Sequence, residues 1–141
     1  MAEKAILYDA TRCTACRGCQ AACKQWNEYD EKIPAPTHGG WVRTKNTGSY
    51  ENPPDLAPTT WLKMTFNEVV QGGKVRWLFN RRSCMHCTDA GCVRVCPNGT
   101  LFHSEFGTVS YNKDTCTGCG YCVDGCPFDV PRLDSNRITG I

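Results

Sequence analysis

Long apolar runs are missing from this sequence. The longest uninterrupted one is the four residues from Ala5 to Tyr8, whereas a transmembrane helix needs about 20 apolar residues. The apolar part of a secretory signal needs about 7 to 15, so no export signal precedes the first cysteines. These 141 residues therefore contain neither a membrane span nor a secretory leader.

An excess of charge of one sign is missing too. Lys and Arg number 16 against 14 Asp and Glu, a net charge of +2, which gives no electrostatic footprint for a polyanion. We therefore do not expect a nucleic-acid partner. Hydrophobic residues make up only 40% of the chain. Because small domains depend on a sufficient apolar core, something other than packing must help to organise this one.

Cysteine is what the sequence has in excess, with 12 residues, close to the fraction at which composition suggests a cysteine-built scaffold. The cysteines form three motifs of four. The first and third are spaced C-x2-C-x2-C-x3-C, the second C-x2-C-x4-C-x3-C, and proline follows the second and third motifs. The members are Cys13, Cys16, Cys19 and Cys23; Cys84, Cys87, Cys92 and Cys96; and Cys116, Cys119, Cys122 and Cys126.

Three chemistries compete for these thiols. Disulfides suit an even count in a short chain, but triples at this spacing crowd three sulfurs onto one loop and cross-link little of the fold. Structural zinc uses C-x2-C pairs, normally two pairs that lie far apart. Clusters of the [4Fe-4S] type fit the spacing directly, because a C-x2-C-x2-C loop can wrap one cluster while its fourth cysteine binds the neighbouring one. We favour the third interpretation.

This crossover rule predicts ligand sets for the second and third motifs, which lie about 30 residues apart. Each set takes three cysteines from one motif and the last cysteine of the other. One cluster is predicted on Cys84, Cys87, Cys92 and Cys126, and its neighbour on Cys96, Cys116, Cys119 and Cys122. The first motif stands apart, with Cys13, Cys16 and Cys19 expected to hold a further cluster.

The predicted fold is α+β, a ferredoxin-like two-cluster module with an N-terminal cluster motif and a long irregular insertion. We expect residues 1–32 to form the N-terminal motif, 33–80 an arm and hairpin, and 81–141 the two-cluster domain. The arm, residues 33–60, is long and without periodicity, and we expect it to face a partner. Strands are predicted at 61–66 and 74–79, around Gly72-Gly73, and at 100–103 and 108–111, around Phe106-Gly107. Helices are predicted from Cys19 to about Asn27 and as single turns after Cys92 and Cys122.

The stretch from Cys13 to Asn27 (CTACRGCQAACKQWN) and that from Cys126 to Arg132 (CPFDVPR) resemble the iron–sulfur (beta) subunits of molybdenum or tungsten formate dehydrogenases, members of a four-cluster ferredoxin-type family. The resemblance implies an electron-transfer subunit without a catalytic site. Its partners would be a large pterin-bearing catalytic subunit and a membrane cytochrome or another acceptor. Alternatives are the corresponding subunit of a dimethyl sulfoxide, nitrate or polysulfide reductase, and a free-standing polyferredoxin-like carrier.

The family carries a fourth cysteine motif, which these residues lack. We therefore expect the sequence to be part of a longer one, in which Cys23 helps to bind a fourth cluster and the first cluster takes a ligand from outside. If the chain instead ends at Ile141, Cys23 closes the first cluster itself and the chain supports three clusters. The resemblance implies a location in the cytoplasm, or in the periplasm after export with the catalytic subunit.

Negatively charged clusters need compensating groups nearby. His86 lies inside the second motif, which already has four thiols, so we expect it to support the ligands rather than to bind iron. The cations expected near the clusters are Arg12, Arg17 and Lys24 around the first motif, Arg81, Arg82 and Arg94 around the second, and Arg132 after the third.

Overall fold

A computed structural model describes residues 4–27, 50–51, 53–134 and 137–141. It is a small mixed structure of short helices and three separate antiparallel hairpins. In the described part, no helix is long and apolar enough to cross a bilayer. In chain order the elements are α1 (Gly18–Trp26), β1 (Lys63–Gln71), β2 (Lys74–Arg82), α2 (Gly91–Arg94), β3 (Leu101–His103), β4 (Val109–Tyr111), a 3-10 turn (Lys113–Thr115), α3 (Tyr121–Asp124), β5 (Arg132–Asp134) and β6 (Arg137–Gly140).

The helices confirm the predictions at the cysteine motifs. Helix α1 begins at Gly18, one residue before the predicted start, and ends at Trp26. The single turns α2 and α3 contain Cys92 and Cys122 rather than following them. They are brief because each motif returns to an irregular loop within a few residues to bring its last cysteine into place.

The long hairpin β1–β2 is confirmed, although its first strand is displaced. Gly72 and Gly73 both have positive φ, 58° and 74°, as a two-residue turn that follows the strand twist requires. The register pairs Gln71 with Lys74 at that turn, so β1 runs to the turn and starts two residues later than predicted. Leu62 is buried but precedes the strand.

The hairpin β3–β4 and the small core belong to the part of the chain with the second and third motifs. Both strands are one residue shorter at their first ends than predicted. A cluster of buried side chains joins this hairpin to the cysteine turns and to β6. Its members are Ala90, Leu101, Val109, Cys122 and Ile138.

The β5–β6 hairpin was not predicted. Its strands are three and four residues long, with a register shift between Arg132 and Leu133, too short for a clear alternation in the sequence. Tertiary burial forms it instead: Ile138 is fully buried, and the Arg132 guanidinium is buried and donates to the Leu56 carbonyl at 3.1 Å.

Ion pairs anchor the base of the long hairpin. The Lys63 ammonium, 2% exposed, lies 2.6 Å from a Glu51 carboxylate oxygen, whose other oxygen accepts the Phe66 backbone N–H at 2.8 Å. Arg82 donates to Asp55 at 2.7 Å and to Asp129 at 3.0 Å. These contacts tie the segment before β1 and the loop after the third motif to the same end of the hairpin. Most of the predicted 33–60 arm lies outside the described residues.

Candidate iron–sulfur sites

The three cysteine motifs share one local geometry. In each, the first cysteine sulfur accepts a backbone N–H from the residue two positions later, and that residue has a positive φ. Such contacts stabilise a thiolate by hydrogen bonding and curl the loop around its sulfurs. The pairs are Ala15 (φ 53°) to Cys13 at 3.4 Å, His86 (φ 48°) to Cys84 at 3.3 Å, and Gly118 (φ 73°) to Cys116 at 3.4 Å.

The third motif lines an open cavity. Leu101, Leu133 and Ile138 supply apolar walls. Burial, together with the neighbouring thiols, raises the pKa of the Cys122 thiol to about 12. The four cysteines that line the cavity are those predicted for one cluster: Cys96, Cys116, Cys119 and Cys122.

Backbone groups from other elements reach two sulfurs of this cavity. Burial opposes ionisation of Cys96, but donors from Leu101, Asn98 and Thr100 outweigh it and lower its pKa. The Ile138 N–H donates to the Cys116 sulfur at 3.2 Å. The sequence did not predict these donors. Strand β6 was not predicted, and any residue except proline carries a backbone N–H, so the residue type gives no indication of such a donor.

The second motif assembles the other predicted set. Burial, together with the neighbouring thiols of Cys92, Cys126 and Cys87, raises the pKa of the Cys84 thiol to about 11. Cys126 is the last cysteine of the third motif, and it also raises the pKa of Cys92, after burial. The structure therefore brings together all four thiols of the predicted crossover set. Because Cys84 carries its proton at neutral pH, binding iron there must release that proton.

His86 holds the second-motif loop against the short hairpin. Its Nδ1 accepts the Val109 backbone N–H at 3.1 Å, while its own N–H donates to Cys84. Burial lowers the pKa of the imidazole, so the ring is neutral at neutral pH and Nδ1 is free to accept. His103 makes a similar brace, with Nε2 at 3.0 Å from the Cys87 carbonyl oxygen.

The first motif rests on one face of the long hairpin and is more open. Cys16 and Cys19 are exposed, and Cys13 and Cys23 are partly buried. The Cys19 sulfur lies 3.7 Å from the Met64 sulfur. Burial and a hydrogen bond with the Cys13 thiol together raise the pKa of Tyr8 to about 12. The Tyr8 hydroxyl lies 3.0 Å from the Phe79 carbonyl oxygen in β2.

Most of the cations expected near clusters are engaged elsewhere. Arg82 and Arg132 both bind Asp129. Arg17 donates to the Tyr50 carbonyl and lies over the Phe66 ring. The remaining ion pairs are on the surface, Arg94 with Asp89 and Arg12 with Asp9.

Arg81, assigned from the sequence to the second motif, acts on a thiol of the first. Burial raises the pKa of Cys23, whereas the Asn27 amide and the Arg81 guanidinium lower it. Sequence proximity predicted a place beside the second motif, because β2 leads to Cys84, and there burial lowers the pKa of His86 and the Arg81 charge lowers it further. The proximity to the first motif was not predicted, and it follows from the hairpin register.

The donor chemistry fits iron–sulfur clusters. Such clusters are held by sets of cysteine thiolates, and backbone N–H groups that donate to the sulfurs tune the cluster potentials. The described cysteine motifs provide both features. Among residues 4–27, 50–51, 53–134 and 137–141, no three Cys, His, Asp or Glu side chains are placed to hold a single metal ion.

Comparisons with known proteins agree with this chemistry. Two family models, each described as a 4Fe-4S dicluster domain, match residues 12–100 and 75–139. The iron–sulfur subunit of formate dehydrogenase-O from Escherichia coli (strain K12) is 41% identical over 139 residues, covering 96% of this chain and 43% of that protein.

Two further relatives extend the comparison. Formate dehydrogenase 2 subunit beta (cytochrome c-553) of Nitratidesulfovibrio vulgaris is 37% identical, covering 96% of this chain and 63% of that protein. The hydrogenase-2 operon protein HybA of Escherichia coli O157:H7 is 33% identical, covering 96% of this chain and 40% of that protein. The chain thus spans less than half the length of the first curated relatives that it matches. With thiol sets and family models in agreement, the chain belongs to the 4Fe-4S dicluster domain family and is a homologue of formate dehydrogenase iron–sulfur subunits.

Proposed function

We propose that this chain is the electron-transfer subunit of a formate dehydrogenase. It would relay electrons between a catalytic chain with a molybdenum or tungsten pterin and a downstream acceptor such as a membrane cytochrome. The observation that carries the proposal is the gathering of Cys96 with Cys116, Cys119 and Cys122 around one cavity. The names of the homologues support the choice of formate dehydrogenase.

The proposed ligand sets follow the crossover rule. Cys84, Cys87, Cys92 and Cys126 would hold one [4Fe-4S] cluster, and Cys96, Cys116, Cys119 and Cys122 a second. Cys13, Cys16 and Cys19 would hold another. Since Cys23 has the Cys19 thiol as a neighbour, it either closes that cluster or serves a fourth one with ligands from elsewhere. In this assignment residues 1–32 form the first cluster unit, 33–80 an arm and hairpin, and 81–141 the two-cluster domain.

The bound clusters would supply one-electron redox chemistry, and the chain's residues would position and insulate them. Leu101, Leu133 and Ile138 keep water from one side of the third-motif cavity. The N–H donors of Ile138, Gly118 and His86 place positive partial charge against sulfur, which favours the more negative reduced state. His86 and His103 fix the second-motif loop without joining the thiol set.

The first test is iron and acid-labile sulfide per chain, with intact mass, on anaerobically purified protein. Three clusters require about 12 iron atoms per chain, and four require about 16. Zinc without sulfide would contradict the proposal. A Cys96→Ser variant should lose iron from the third-motif site, whereas Ser104→Ala, in the β3–β4 turn, should keep the full complement.

A second experiment tests the partner. Formate added to the purified complex should bleach the visible cluster absorbance, and a large catalytic subunit should copurify stoichiometrically. A chain that carries clusters but copurifies with no large subunit would instead be a free-standing carrier. Hydrogen exchange then tests whether the 33–60 arm faces that partner. Equal exchange in the arm with and without the large subunit would rule this out.

A further inference from the structure

One face of the long hairpin forms the seat of the first motif. Directly paired residues of antiparallel strands point to the same side of the sheet, and the register pairs Met64 with Arg81 and Phe66 with Phe79. These four residues therefore share a face. The rest of the first motif can be located from its contacts with them.

Successive residues of the first motif meet this face in order. Arg17 lies over the Phe66 ring, 5.0 Å from its centroid. The Cys19 sulfur is 3.7 Å from the Met64 sulfur, and the Met64 N–H donates to Gln20 at 3.3 Å. Arg81 is the direct partner of Met64 across the hairpin, so it lies beside the residue that Cys19 and Gln20 contact.

Arg81 also stands next to the second motif. It lies three residues before Cys84, at the end of the strand that leads directly into the second motif. Its side chain is partly buried. None of the ion pairs among the described residues includes Arg81, whereas the next residue, Arg82, is held by Asp55 and Asp129.

We propose that Arg81 is the electrostatic link between the first and second cysteine motifs, a fixed positive charge that raises the reduction potentials of the clusters bound by these two motifs. A cation favours the more negative, reduced form of a neighbouring cluster. With no carboxylate partner in the described chain to neutralise it, the charge is available to both motifs. This inference rests on the proposed electron-transfer function.

The test is a redox titration of the anaerobic complex followed by electron paramagnetic resonance. In R81Q and R81M the potentials of the first-motif cluster and of the second-motif cluster should both shift to lower values, and less so as salt is added. R81K, which keeps the charge, should stay near the wild type. R76Q is the matched control: Arg76 lies on the same strand, is exposed, and points to the opposite face. Its potentials should be unchanged.

Unchanged potentials in an iron-replete R81Q or R81M protein, or an equal shift in R76Q, would overturn the role of Arg81 and leave the proposed function standing. Loss of first-motif iron in both neutral variants, with full iron in R81K, would mean that the charge is needed for assembly rather than for the potential, and would also overturn it. Wild-type protein with no iron or sulfide would overturn the proposed function itself.

Discussion

The first motif and the pair formed by the second and third motifs have nearly the same cysteine spacing but different surroundings. In the pair, the last cysteine of each motif lies near thiols of the other, and a buried core with Leu101 and Ile138 lies beside them. The first motif has no such neighbouring motif among the described residues. It rests instead on one face of a two-stranded hairpin, with Cys16 and Cys19 exposed. Motifs of nearly equal spacing therefore differ in burial because different segments pack against them.

Removing one thiol from each region should give the largest contrast. Cys122→Ala and Cys16→Ala should each remove up to about four iron atoms per chain. Cys122 is buried in the core and its set includes Cys96 from the other motif, so its loss should also lower the thermal midpoint and weaken the neighbouring cluster. Iron content and thermal denaturation measure both effects. An equal loss of thermal stability in Cys16→Ala would contradict this view of the two regions.

The next largest difference between the two regions should come from truncating an apolar side chain in each. Leu101→Ala removes a side chain that is 2% exposed and should cost about 2–5 kcal/mol. Leu7→Ala, 93% exposed near the first motif, should stay within about 0.5 kcal/mol of wild type. The measurement is the urea midpoint for loss of cluster absorbance under anaerobic conditions. Similar midpoints for the two variants would show that the small core does not stabilise the pair.

Acid should loosen the seat of the first motif. Burial would raise the pKa of Glu51, but the Lys63 ammonium and the Phe66 N–H outweigh it and lower the pKa below its ordinary value of 4.5. A depressed carboxyl pKa stabilises the folded state above about pH 4.5, and this contribution is lost as the pH falls through the folded-state pKa.

Glu51→Gln should therefore speed exchange of hairpin amides at pH 7 and flatten their acid dependence. The free-energy cost is about 1–3 kcal/mol, because the buried Lys63 ammonium loses its counter-charge while Glu51 is partly exposed. Hydrogen exchange measured from pH 7 down to the onset of cluster loss gives both quantities. Glu68→Gln, on the exposed part of the hairpin, is the control. If the two variants behave alike, the ion pair does not anchor the hairpin.

Glycine replacements should give the smallest effects, with opposite signs. Gly120 has a φ of 80° and open space around an added Cβ, so Gly120→Ala isolates backbone strain and should cost about 1 kcal/mol. Gly18 begins α1 with a helical backbone, and an added Cβ would meet the Cys16 sulfur at an ordinary 3.6 Å. Gly18→Ala should be neutral or stabilise by up to about 1 kcal/mol. Urea midpoints compare them, and a destabilised Gly18→Ala would show that the first-motif loop is tighter than it looks.

Cysteine spacing and turn chemistry predicted much of this fold. Gly72-Gly73 located the long hairpin, and the C-x2-C-x2-C spacing located the short helices, because both depend on residues close together in the chain. The predicted bounds of the first strand, Trp61–Phe66, were wrong at both ends, because β1 spans Lys63–Gln71. Apolar alternation begins before the strand does, since Leu62 is buried without joining the hydrogen-bonded ladder. The β5–β6 hairpin was missed because burial of Ile138, not a local pattern, forms it.

The sequence by itself determined the chemistry. Three closely spaced cysteines on a tight loop, followed by a fourth farther along, are suited to iron–sulfur clusters whatever surrounds them. Only the tertiary structure decided the surroundings of each sulfur. It placed Ala15 and Arg17 at positive φ where the third motif has glycines, directed the Ile138 N–H to Cys116, and turned Arg81 towards Cys23. The identity of the cysteine ligands depends on a few neighbouring residues in the chain. The burial of each sulfur, its hydrogen bonds and the charges near it depend on which distant segments pack together, and cysteine spacing does not encode that packing.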